Sequence, residues 1–332
     1  MTQGLLQLAT TGTVSGLQNN QAANTALAAL AGMIQGGSAP TPASTGLAST
    51  SGVWWHDTTN NQVKLRDQAD ANWMPAASVD ETNKLVLLLL RSYLAGLTLS
   101  NDGTSPNTVI DVSAGVCADD TNVAMLNLPS GQTINGATTG AGGLDTGSLA
   151  ASTWYHAFVI GKPGGGAGAL LASTSLASPV FPTGYTLKRR IGSFKTDASA
   201  HILGFVQNGD DFLWSVPAQE FSVSAPGTAA VLRTLALVPP GVRTRALLAI
   251  DFAIGATGSV LYISSPDLPD LIPSNSGAFT ISNASLTNEE ASGIYSCWTN
   301  TSQQIRTRVS SSSGILLAAS TIGYADLRGK LV

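Results

Sequence analysis

Three histidines, three of the adjacent acid pairs and four aromatic residues near the C-terminus are the side chains here whose types could do chemistry. His56, His156 and His201 stand in separate strand-like contexts, and His156 reads as a strand residue whose ring nitrogen meets a backbone group. Neither a Gly-x-Ser-x-Gly elbow nor a His-Glu-x-x-His helix is present, so activated-serine and zinc-peptidase chemistry lack their motifs. The pairs Asp119-Asp120, Asp210-Asp211 and Glu289-Glu290 would suit glycoside cleavage only if two carboxyl groups flanked one bond. Neighbours on a strand point to opposite faces, and all three pairs are bordered by Asn, Gly or Thr, so they read as turns. Asn208-Gly209-Asp210-Asp211 lacks the ligand spacing of a calcium loop. Gly164-Gly165-Gly166, with no Gly-Lys-Ser/Thr after it, reads as a flexible hairpin tip and not a phosphate loop. No catalytic residue, metal ligand or cofactor is expected. Tyr262, Tyr295, Trp298 and Tyr324 suit either stacking on a sugar face or core packing.

The bulk composition narrows the class. Only 11% of the 332 residues are charged, against roughly 25% in an ordinary soluble domain. With 43% hydrophobic residues the chain is expected to fold, and so uncharged a surface suits an obligate oligomer better than a free monomer. Net charge is −4 and basic residues are scattered, which argues against a nucleic-acid partner. The one basic cluster, Lys188-Arg189-Arg190, reads as a solvated strand face. Cys117 and Cys297 are too far apart in sequence to suggest a disulfide framework and fit folding in a reducing cytosol. The opening MTQGLLQLATTG lacks the basic and apolar regions of a secretory signal, and Leu85 to Leu90 is too short to enter a membrane as a span.

The elements that must position these residues are mainly β. Residues 1–50 read as a polar, then Ala-rich segment with a short helix (Leu27, Leu30, Met33 and Ile34 at helical spacing, Gly36-Gly37 as its stop) and a low-complexity linker. Residues 51–78 give a small three-stranded meander. Residues 79–97 read as a helix, with Asp80 as N-cap and a stripe of Val86, Leu89, Leu90, Tyr93 and Leu97. Because Leu85, Leu87 and Leu88 are apolar too, such a helix must be buried on several sides. An axis lined by identical helices would shelter it, as would the core of a single domain. Recurrent short strands with Gly, Asn and Asp turns then predict two antiparallel, jelly-roll-like sandwiches, 98–218 and 219–332.

The stretch from Thr153 to Trp214, with its Pro182-Thr183-Gly184-Tyr185 corner and closing Asn-Gly-Asp-Asp-Phe-Leu-Trp, resembles a segment of tailed-bacteriophage tail-fibre and virion-appendage proteins. SNDGTSPNTVIDVSAGVCADD and GLDTGSLAASTWYH extend the likeness over roughly residues 97–215. GVWWHD in the meander and VPPGVRTRALLAI, LYISSPD, QQIRTRVSSSSG and GYADLRGK in the last block are similar to other parts of such proteins. The resemblance implies a homotrimeric structural subunit of the virion, its N-terminal segment docked on another virion protein. Three apolar helices would line the axis, and the C-terminal tip would adhere to a host surface glycan. A head-attached fibre shares these modules and stays open, as does a glycan-cleaving spike, though no fixed-period repeat of a β-helical spike is found.

Overall fold

The computed structural model describes residues 35–36, 38–39, 53–69, 71–254, 259–282, 289–311 and 314–330. Among these no helix occurs, and none is therefore long and apolar enough to cross a membrane. The helix expected within residues 24–34 lies outside the described residues. Of its expected stop, Gly36 lies in a two-residue strand, β1 (Gln35–Gly36), parallel to β2, and Gly37 is outside the described residues.

β2 (Trp54–Asp57), β3 (Gln62–Arg66) and β4 (Trp73–Asp80) are the expected meander. The helix expected over 79–97 is absent, replaced by β5 (Leu85–Leu88) and β6 (Leu94–Gly96). Asp80 ends β4 and accepts hydrogen bonds from the Asn83 backbone N–H at 3.0 Å and its side-chain amide at 2.9 Å, making a turn where a helix cap was expected. Lys84, Ser92, Gly96 and Leu97 then adopt left-handed φ values of 59°, 55°, 68° and 55°, which no α-helix contains. β1 to β5 form one five-stranded sheet in sequential order.

The chain continues through β7 (Leu99–Asn101), β8 (Val109–Val112), β9 (Gly115–Ala118), β10 (Met125–Leu128), β11 (Gln132–Thr139) and β12 (Gly143–Leu144). Then come β13 (Trp154–Gly161), β14 (Gly166–Ala167), β15 (Ala169–Ser173), β16 (Leu187–Lys195), β17 (Phe205–Asn208) and β18 (Asp211–Val223). The last block holds β19 (Val231–Thr234), β20 (Arg245–Ile254), β21 (Val260–Ser264), β22 (Ile281–Ser282), β23 (Glu289–Trp298), β24 (Gln304–Val309) and β25 (Ile315–Ala325). A twelve-stranded sheet runs β16-β13-β15-β12-β11-β8-β7-β17-β18-β25-β20-β23, flanked by four-stranded sheets β14-β10-β9-β6 and β19-β24-β21-β22. The architecture is mainly β, in sandwich-like layers. The sequence boundary at 218/219 falls inside β18, which pairs along β25 from the last block, so one sheet runs through both.

One core follows from that shared sheet. Leu97, Leu99, Ile110, Leu126 and Phe194 from the first block pack in the same cluster as Leu248, Phe252, Ile305, Leu317 and Tyr324 from the second. β13 is buried at every position because both its faces are covered: Phe158 and Ile160 meet a separate small cluster with Leu171. The indole N–H groups of Trp154 and Trp214 donate to the Ala236 and Leu237 carbonyls at 3.1 and 3.0 Å, satisfying two polar groups the core would otherwise strand.

The five-stranded sheet is fastened to this body. Gln62 Nε2 donates to the Val123 carbonyl at 3.0 Å, the Met125 N–H to Ser78 Oγ at 2.9 Å, and Asn127 Nδ2 to Asp80 Oδ2 at 3.2 Å. Gly164, Gly165 and Gly166 sit between the two with φ near +87°, against Asn60, Ser78, Val79 and Met125. They are a packed clasp and not the free hairpin tip expected, since a Cβ on Gly164 would coincide with the Asn60 carbonyl.

Candidate functional site

The acid pairs are engaged in structure. Asp119 is buried and accepts the backbone N–H groups of Thr121, Val123 and Ala124 at 2.9, 2.9 and 2.8 Å, while Asp120 pairs with Lys188. Asp210 receives Arg328 at 2.9 Å and Lys330 at 2.7 Å, which together hold its carboxyl below the ordinary range against the opposing effect of burial. Glu289-Glu290 lies on β23 and not in the expected turn. Glu290 shares a hydrogen bond with Asp251 across the sheet, and that bond together with the neighbouring charge raises its pKa.

Arg189 and Arg190 are buried, not the solvated face expected. Arg190 forms a fork on Asp326, Nη1–Oδ1 3.1 Å and Nη2–Oδ2 2.5 Å, and also donates to Ser193 Oγ at 2.8 Å. His156 Nδ1 meets that same hydroxyl at 2.9 Å, a side-chain partner where a backbone one was expected. Ser193 and His156 thus have the separation of a nucleophile and base, but they are only 1% and 2% exposed. Burial, then the Arg190 charge, pushes the imidazole down to about 3. The arrangement fastens the C-terminal strand to β16 and leaves no path for a substrate to the hydroxyl.

The four candidate sugar-stacking aromatics do not converge. Tyr324 is 2% exposed, stacked on Phe212 with ring centroids 5.1 Å apart, and its hydroxyl donates to the Ser193 carbonyl at 3.3 Å. It is a core residue and is excluded from receptor contact. Tyr295 packs against the main core from β23, whereas Trp298, three residues on, is exposed on the opposite face. Tyr262 stands half-buried on β21, in a different sheet.

The residues of the expected helix are likewise dispersed. Leu97 is fully buried in the main core, Leu89 is half-buried, and Val86, Leu90 and Tyr93 are exposed.

Sequence reasoning passed over a shallow groove on β7, β8 and β11. It has a volume of about 360 Å³ and is lined by Thr98, Ser100, Asp111, Val112, Ser113, Gly131, Gln132 and Thr133. Ser100, Asp111 and Thr133 are directly opposite one another across the three strands, so their side chains line one outward row. Thr98 and Ser113 form the next row, tied by the Thr98 N–H to Ser113 Oγ at 2.9 Å. Beneath them Leu99, Ile110, Val112 and Ile134 are buried, so the row rests on a rigid floor. Partial burial, then the neighbouring Asp102 carboxylate, raises the Asp111 pKa. The groove presents a carboxylate and hydroxyls: acceptors and donors suited to a polyhydroxylated ligand.

No family model matches the chain, and no curated protein matches it. Structural likeness is slight. The structure of infectious bursal disease virus Gx strain aligns over 70% of this chain and 76% of that one, at 10% identity and a TM-score of 0.15, too low to bear on fold or function.

Proposed function

We propose that this chain is a non-enzymatic subunit of a bacteriophage virion appendage, a tail fibre or spike, that adheres to a host surface glycan. In this reading it assembles as a homotrimer in the virion, with residues 1–50 docking on another virion protein. The motif resemblance over residues 97–215 supports the appendage, and the low charge supports an assembled form. The observation that carries the adhesion is the polar groove. Its row of Ser100, Asp111 and Thr133 offers hydrogen-bonding groups on a rigid floor. Contact therefore moves from the C-terminal aromatics to the face of β7, β8 and β11. Asp111 and Asp102 together disfavour an anionic sugar, and the hydroxyl row beside them suits a neutral pyranoside, the ligand class of this reading. Weak individual sites suffice when three are linked.

Saturation-transfer NMR of the full chain with glucose, galactose and N-acetylglucosamine tests this. Transfer to the ring protons of at least one sugar is expected, lost in the variant Asp111→Asn with Thr133→Val. No transfer from the native protein, or equal transfer from the variant, refutes adhesion through the groove. Release of oligosaccharides from host surface polysaccharide would overturn the non-enzymatic part.

A further inference from the structure

The five-stranded sheet is inside out. Cross-strand register and strand alternation place Asp57, Gln62, Lys64, Arg66, Ser78 and Asp80 on one face, together with Trp55, Trp73, Leu85 and Leu87. Three of them, Gln62, Ser78 and Asp80, make the hydrogen bonds that hold the sheet to the body. The opposite face carries Trp54, Leu65 and Met74 in one row, His56, Val63, Ala77 and Leu88 in the next, and Val79 with Val86 in a third. No Lys, Arg, Asp or Glu stands in these rows, and Val86 and Leu88 are 63% and 67% exposed. The sheet ends at β5, whose outer edge has no partner strand among the described residues. An apolar face beside an open apolar edge is the surface that native proteins ordinarily blunt with charge, and here only Glu81, 3.9 Å from His56 Nε2, brings a carboxylate to its margin.

We infer that this face, with the β5 edge, is where copies of the chain pack on one another. It takes the role that the sequence had assigned to a helix over the same residues. With Leu90 and Tyr93 just beyond β5, the exposed apolar side chains amount to on the order of 600 Å² per copy, the upper size for a patch on a monomer. That approaches the ~800 Å² each partner contributes to a standard stable interface, before any half-buried side chain or backbone pairing is added. A second copy brings an identical face whose strand rows hold no Lys, Arg, Asp or Glu, and the nearest carboxylate, Glu81 beside His56, is 61% exposed at the margin, where it can stay in water. The inference rests on the assembled state proposed above but names a surface that the reading leaves open.

The test uses the full chain in two variants, Leu88→Cys and Val86→Lys/Leu88→Lys, read by sedimentation equilibrium and non-reducing electrophoresis. Wild type is expected to be multimeric, and Leu88→Cys to form an interchain disulfide that the wild type does not. The double lysine variant should weaken assembly roughly 100-fold or more, since it removes two apolar anchors from each copy, with unchanged tryptophan fluorescence. If lysine prevents folding, Leu88→Thr gives the same readout with a good strand former. A multimer that persists in the lysine variant, with no interchain crosslink formed by Leu88→Cys, overturns this inference and leaves the assembled state standing. A monomeric wild type overturns both. So does a monomer whose introduced thiol resists maleimide, which would mean that residues 1–34 of the same chain cover the face.

Discussion

Replacing Asp326 by Asn should be among the most damaging conservative changes available to this fold. The carboxylate takes both arms of Arg190 at 3.1 and 2.5 Å and the Arg328 backbone N–H at 2.9 Å, with both ion-pair partners under 10% exposed. Asn keeps the shape but removes the charge, so a guanidinium is left buried without its counter-ion. Breaking one side of such a pair costs about 3–5 kcal/mol. At about 2–4 °C per kcal/mol for a unit of this size, the melting midpoint should fall by about 6–20 °C. Thermal unfolding followed by circular dichroism measures this directly. The double variant Arg190→Met/Asp326→Leu should recover most of the loss, because it removes both charges together. The sign of the pH effect is fixed too. Burial alone would raise the Asp326 carboxyl, yet Arg190 and Arg328 hold it below its ordinary value. The pair's stabilisation is therefore complete above the usual carboxylate range and lost as pH falls through the lowered pKa. An Asp326→Asn midpoint within about 1 °C of wild type would refute the assignment of this pair as the tie between β25 and β16.

Other outcomes follow from the same structure. His156 titrates near 3 in the folded chain against 6.5 for a free imidazole, so between those values the unfolded state binds the extra proton and stability declines as pH falls. His156→Gln should flatten that part of a pH–stability curve, and an unchanged slope would contradict it. Gly164→Ala places a Cβ on the Asn60 carbonyl at a φ of +86°, and should cost at least ~1–3 kcal/mol in denaturant unfolding. The same variant should expose the 53–97 sheet to limited proteolysis while wild type resists. Burial pushes the Cys117 and Cys297 thiols up to about 12 and about 11, so a thiol reagent at pH 8 should label the native protein negligibly and the unfolded protein twice. Rapid native labelling would mean that the core opens.

The strands of the meander were legible because Val63 and Leu65 alternate with Lys64 and Arg66 between clear turns. Alternation told which residues share a face, but not which face meets the body, and here the polar one does. Residues 79–97 misled for a chemical reason. An Asp that accepts the N–H three residues ahead serves a helix cap and an Asx turn alike, and Asp80 does the latter. The Leu-rich run after it has no period to arbitrate, and what decides its conformation is pairing with β4, as in Val79 opposite Val86. Burial of Arg190 was invisible because its partner Asp326 lies 136 residues away. The split of Tyr295 from Trp298 was readable, since an offset of three on a strand reverses the face. The groove also left a trace: Thr98 and Ser100, Asp111 and Ser113, and Thr133 repeat a polar outward position on strands that prove adjacent, but adjacency itself is tertiary information.

Everything proposed about this chain turns on whether it lives alone. Native mass spectrometry of the full chain at micromolar concentration asks this most directly. A species of three 33.8 kDa chains is the result expected. A stable single chain, with its apolar sheet face in water, would contradict both the appendage reading and the packing surface assigned to that face.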